Sequence, residues 1–275
     1  MMKPLTIAVL AAALSGCVPY PEGMALPEDA TSSSIVTAPF MSLDPGASEQ
    51  TSLHFKVRAY GADTARRTSE QAEACYQRIM VDTNLFSFMP SGLYQIVVFG
   101  SQDEYRRKTN QPSWSGGVSY GNAIYSFVGG QLNEIIAHEM THLIFYEFMG
   151  RSDSVQRWVN EGLAVYEEAK AAGGSNVPVD LFGGLRPLLR AQPLTMDQMI
   201  HLVPASEKEK TVSLWYAESE SLVQFMIERG GRLGFSQFLQ GLKDGRNFDQ
   251  AIGSGFIGVW RNLSDLTQSW QTSIQ

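Results

Sequence analysis

The chain has 275 residues, 44% of them hydrophobic and 11% aromatic, with a net charge of −7. That much apolar side chain can bury a sizeable core in one or two domains and excludes a disordered or fibrous chain. The acidic balance argues against nucleic acid, and against anionic surfaces held by charge, as partners. Nothing in the pattern specifies an oligomeric state.

Residues 1–16 read as a signal peptide, with a positive start at Met1-Met2-Lys3 and an apolar run over residues 4–13. Leu14-Ser15-Gly16-Cys17 follows and resembles the lipobox of bacterial lipoproteins. The resemblance implies cleavage before Cys17, lipidation of its thiol and a membrane contact through an N-terminal lipid anchor. Val18 stands where an aspartate commonly retains lipoproteins in the inner membrane, so the expected location is the cell envelope, at an outer membrane facing the periplasm. No later run reaches the roughly 20 apolar residues that a membrane helix needs. Residues 17–50 are expected to be the lipidated cysteine and a flexible tether. Five prolines and clustered serine and threonine lie within residues 18–50, and a coil of those 33 residues spans roughly 30 Å. The folded domain is expected over residues 51–275.

Within that domain the hydrophobic pattern alternates like a strand at residues 52–58 and turns helical over 63–80. Cys75 falls on one helical stripe with Ala72, Tyr76 and Ile79, which points to a buried, inert thiol. Residues 94–99 (YQIVVF) read as a buried strand, and Ser101 caps a short helix through 108. Residues 117–120 and 123–127 form a hairpin around Gly121-Asn122. Residues 131–149 then make one helix closed by Gly150, and residues 158–166 are helical again. Residues 171–180 read as a loop, followed by a helix through 202 opened by a Thr195/Gln198 capping box. Further helices are expected at 212–229, 233–243, 247–252 and 263–274. The order predicts an α+β domain with a small mixed sheet and a helical C-terminal half.

Two of the four histidines stand in His138-Glu139-Met140-Thr141-His142. On a helix, residues four apart share a face, so Ile135, His138, His142 and Phe145 form one stripe. Two imidazoles among apolar side chains are costly to bury without partners, and a metal supplies a partner to both. H-E-x-x-H on a helix suits two corners of a zinc tetrahedron and sets Glu139 beside them as general base. A third histidine at the metzincin spacing is excluded, because Phe145 and Phe148 stand where that pattern needs glycine and histidine. His54 lies on an expected strand and His201 in a separate helix. Downstream, Glu161 sits between Trp158 and Val165 on an apolar stripe in WVNEGLAVY, where a carboxylate needs a compensating charge such as Zn²⁺.

H-E-x-x-H, eighteen intervening residues and a glutamate within N-E-G-x-A resemble the gluzincin clan, which includes the aminopeptidase N type. The layout over residues 52–272 is similar to the small peptidase-MA-like domains of bacterial lipoproteins. The resemblance implies a zincin-like α+β fold with an active-site helix and a zinc metallopeptidase acting on a peptide or protein substrate. His138, His142 and Glu161 would bind zinc, Glu139 would activate the water bound there, and Asn160 would support the ligands from behind. Tyr216 matches either the oxyanion-stabilising tyrosine of the clan or an ordinary tyrosine at a helix start. The hairpin strand at residues 116–120 stands where zincins pair an edge strand with extended substrate; it serves equally well as a strand that completes the sheet. Aminopeptidases of the clan hold the substrate amine with a carboxylate in this region, and residues 116–122 contain none. Endopeptidase cleavage is therefore expected. The alternative is a binding or chaperone-like lipoprotein that retains the fold without turnover.

Overall fold

A computed structural model describes residues 40–174 and 178–275. The signal peptide, Cys17 and the tether up to residue 39 lie outside the described residues.

Five strands form one mixed sheet in the order β1-β2-β3-β5-β4. Strand β1 (Ala47–Thr51) pairs antiparallel with β2 (Phe55–Tyr60), which runs parallel to β3 (Tyr94–Phe99). Strand β5 (Ala123–Phe127) is parallel to β3 and antiparallel to β4 (Gly117–Tyr120), the edge strand. The two parallel pairings need crossovers, and the first is helix α1 (Ala62–Thr83). The second contains helix α2 (Gln102–Thr109), capped by the Ser101 side chain as its sequence position suggests. Gly121 takes φ +61°, the left-handed conformation that the tight β4–β5 turn requires.

Residues 40–50, read from the sequence as tether, belong to the folded domain. Ala47–Thr51 is an edge strand in register with β2, and Leu43 is buried under the sheet. The stretch ASEQT offers no apolar alternation, so its pairing rests on main-chain hydrogen bonds and the short connection to β2 rather than on side-chain burial.

Each face of the sheet is covered. Phe55, Val57, Ile96, Val98 and Ile124 face α1 and helix α3 (Leu132–Met149), whereas Val97, Phe99 and Tyr125 face Tyr105 of α2 and Leu43. Helix α3 is apolar on nearly every side and is buried accordingly, held between the sheet and helix α4 (Arg157–Ala172). The C-terminal half is helical: α5 (Arg186–Ala191), α6 (Met196–His201), α7 (Glu209–Gly230), α8 (Arg232–Lys243), α9 (Phe248–Gly255) and α10 (Leu263–Ile274). Thr195 and Gln198 complete the expected capping box of α6. Helix α4 runs two residues into the expected loop, and α5 forms where no regular element was expected; six residues are too few to display a helical period. Helices α4 and α7 cross at Gly162, where a Cβ would collide with the backbone carbonyl of Ser219. One continuous apolar cluster runs from Phe55 in β2 through α3 to Trp270 in α10.

Candidate metal centre

Helix α3 carries His138 and His142 one turn apart on the face toward α4, with their ring centroids 4.8 Å apart. Helix α4 brings Glu161 across. Its Oε2 lies 3.8 Å from His138 Nε2 and 3.7 Å from His142 Nε2, and one ligand atom from each of the three residues lies within 4.8 Å of the others. A tetrahedral zinc with bonds near 2.0–2.2 Å separates its ligand atoms by roughly 3.4 Å, so the three atoms already stand near the corners such an ion requires.

The far side of each ring is fixed. His138 Nδ1 is 2.8 Å from Glu168 Oε2, and His142 Nδ1 is 3.0 Å from Asn160 Oδ1. Both partners accept, so each ring donates through Nδ1–H and, when neutral, leaves the Nε2 lone pair directed inward. His138 Nε2, His142 Nε2 and Glu161 Oε2 are buried and have no hydrogen-bond partner among the described residues. Three orphaned polar atoms converging on one point are costly unless a cation satisfies all three. The donor set, two imidazoles and one carboxylate, is the one that hydrolytic zinc sites use while leaving a fourth position open.

Electrostatics point the same way. Burial opposes the charge on His138, but the hydrogen-bonded Glu168 carboxylate outweighs it and pushes the pKa up to about 9. His142 is lowered to about 4 by burial and then by repulsion from His138. Burial raises Glu161 to about 7 against the attraction of His138 and Arg157. The cluster thus holds a proton that an entering cation would displace.

Glu139 follows His138 on α3 and is buried beside β4, where a Cβ on Gly117 would lie 3.4 Å from its Cγ. The edge strand therefore runs alongside this carboxylate. Tyr216 is half-buried on α7, with its ring 5.1 Å from that of Trp215 and in contact with the apolar cluster of Val165, Leu214 and Ala217. Its helix crosses α4 at Gly162, the neighbour of Glu161. His54 lies elsewhere, bonded to Glu73 at 2.7 Å and stacked on Tyr76, and His201 is exposed near Asp197. Cys75 is buried, and burial raises its thiol pKa, as an inert cysteine requires.

Glu168 escaped the sequence reading. Its position seven residues after Glu161, two turns along the same face of one helix, was the available signal.

No curated protein shows significant sequence similarity to the chain. The family model of the Peptidase MA superfamily matches residues 77–275, from the second half of α1 to the C-terminus, including His138, Glu139, His142, Glu161 and Glu168. With well over half of its length matched, this α+β chain belongs to the Peptidase MA superfamily and is, at that level, a peptidase.

Proposed function

We propose that the protein is a zinc-dependent endopeptidase, anchored to the outer membrane through lipidated Cys17 and facing the periplasm. The observation that carries the catalytic part is the convergence of three buried, unsatisfied ligand atoms beside Glu139.

His138, His142 and Glu161 would hold the metal, with Glu168 and Asn160 fixing the imidazole rings. When bound, zinc supplies an open coordination position that lowers the pKa of water toward about 7 and polarises a carbonyl. Glu139 takes the proton from the attacking water and returns it to the leaving amine as the peptide C–N bond breaks. The outer edge of β4, the last strand of the sheet, offers main-chain donors and acceptors to an extended peptide alongside that carboxylate. Residues 116–122 provide no carboxylate to grip a substrate amine, which favours cleavage within a chain over trimming from its end. Tyr216 is the candidate donor to the developing oxyanion.

Metal analysis of the full chain should find about one zinc per molecule in wild type and in Glu139→Gln alike, with peptide hydrolysis lost only in the variant. Cleavage of peptides blocked at both ends identifies the endopeptidase. Equal activity of the two proteins on a broad peptide library would overturn the mechanism. Tyr216→Phe separates the two roles of that residue: an oxyanion donor loses on the order of 10²-fold or more in kcat with an unchanged melting temperature. A packing residue leaves kcat in place.

A further inference from the structure

Residues 84–93 link α1 to β3 across the end of the sheet where β3 begins. The segment is tied down along its length. Asn84 Nδ2 donates to Ser236 Oγ at 3.3 Å, and the Phe88 ring sits edge-on to Phe148. The Ser91 amide and the Tyr94 hydroxyl both donate to the Glu147 carboxylate. Despite this anchoring, Phe86 and Met89 point outward, 64% and 80% exposed. Beside them lies the β1–β2 turn, because the Tyr94 amide donates to the His54 carbonyl, and Leu53 in that turn is 79% exposed. Leu93 is exposed at the same end, and Leu233 extends the apolar surface from α8 near Asn84. Large apolar side chains held outward on a tethered loop and an adjoining turn mark a contact surface rather than scattered surface residues.

The described chain begins at this end as well. The Phe40 ring packs on Tyr120 and Tyr125, and Tyr120 adjoins the Gly121-Asn122 turn, where Asn122 Nδ2 donates to the Leu93 carbonyl. Between Cys17 and Phe40 lie 22 residues, a length of chain that can reach no farther than roughly 75 Å. An acyl chain on Cys17 would hold this end of the sheet within reach of the bilayer, at an effective concentration on the order of millimolar. Weak apolar insertion then suffices, and it requires no basic surface on an acidic protein.

We infer that the end of the sheet carrying Leu53, Phe86, Met89 and Leu93 docks into the lipid bilayer surface, a second membrane contact that orients the tethered domain. The inference rests on the proposed lipid anchor. Glu139 stands eight residues along α3 from Glu147, about 12 Å of helix away from the docked end. Docking therefore fixes the metal centre above the membrane, in water.

The test uses the full chain with its native N-terminus, reconstituted into uncharged phosphatidylcholine vesicles and spin-labelled at Met89→Cys, Leu53→Cys or Val128→Cys. Val128 is exposed beyond the opposite end of β5, and Cys75 is buried. Docking requires flotation with the vesicles that depends on Cys17. It also requires an oxygen-to-nickel-chelate collision ratio several-fold higher at positions 53 and 89 than at 128. Phe86→Ser/Met89→Ser should return the position 53 label to water while flotation persists. A chain that floats through Cys17 with all three labels equally open to nickel overturns the docking surface and leaves the anchor standing. A chain that does not float overturns both. Spin–spin broadening between Met89→Cys labels of separate molecules without vesicles overturns the inference in favour of a second copy of the chain.

Discussion

Glu168 determines which nitrogen of His138 carries the proton. By accepting from Nδ1 at 2.8 Å it makes Nε2 the inward lone pair of the neutral ring, and its charge raises the basicity of the ring. Glu168→Gln can still accept through its amide oxygen but carries no charge, so zinc affinity should fall by roughly 10–100-fold with the helix content unchanged. Competition against a chelating dye reads that loss, and an unaltered affinity would reduce Glu168 to a bystander. Glu218 on α7 presents the opposite situation. It is buried, accepts the Leu194 amide on one oxygen, and has no partner for the other among the described residues. Burial pushes its pKa from 4.5 up to about 7. With the folded value above the unfolded one, its contribution to stability is complete below about pH 4.5 and is lost as pH rises through 7. Glu218→Gln keeps the acceptor for Leu194 and never ionises. Its melting temperature should match wild type near pH 4 and exceed it above pH 7, with a gain of at most about 3 kcal/mol.

Helix α4 is the element on which the site depends, since each of its faces has a separate task. Glu161 and Glu168 face α3. Glu167 and Lys170 reach the other way, to Arg78 and Asp82 of α1, and Arg232 at the start of α8 also pairs with Asp82. Gly162 allows α7 to approach within backbone contact. A methyl group there meets the Ser219 carbonyl and Val223, neither of which is a flexible side-chain end. Gly162→Ala should therefore cost about 1–3 kcal/mol, roughly 2–4 °C in melting temperature per kcal/mol, and should weaken zinc loading by displacing Glu161. Full metal content in a destabilised variant would show that the crossing and the site are independent. Helices α3 and α4 were legible in the sequence because long apolar stripes interrupted by His138, His142 and Glu161 make both the period and the anomaly visible. Strand β3 and the β4–β5 hairpin were legible through YQIVVF and the Gly121-Asn122 turn. Strand β1 was not, because ASEQT gains its place by pairing with β2 rather than by burying an alternating face. Helix α5 was not, since Arg186–Ala191 is shorter than two turns. The requirement for glycine at 162 arises only when α7 arrives from about sixty residues downstream, so no local pattern announces it.

At the scale of the whole molecule, the candidate ligands come from two layers. Two belong to α3, which packs on the sheet, and the third to α4, the first helix of the C-terminal half. A bound ion would cross-link these layers through a shared apolar core, so its binding free energy adds to the stability of the entire fold. At a free zinc concentration 100 times its dissociation constant the gain is about 2.7 kcal/mol, worth roughly 5–10 °C for a domain of this size. Chelation should lower the melting temperature by that amount and zinc should restore it, whereas His138→Ala and Glu161→Gln should respond weakly to either treatment. The shift should also grow with pH, because zinc needs His138 neutral and Glu168 holds its pKa near 9 in the metal-free protein. Each pH unit gained below that value exposes more of the neutral ring and strengthens binding by up to about tenfold from this group alone. A zinc-induced stabilisation that is flat between pH 6 and 8, or equally large in His138→Ala, would show that the ion binds away from the three converging side chains.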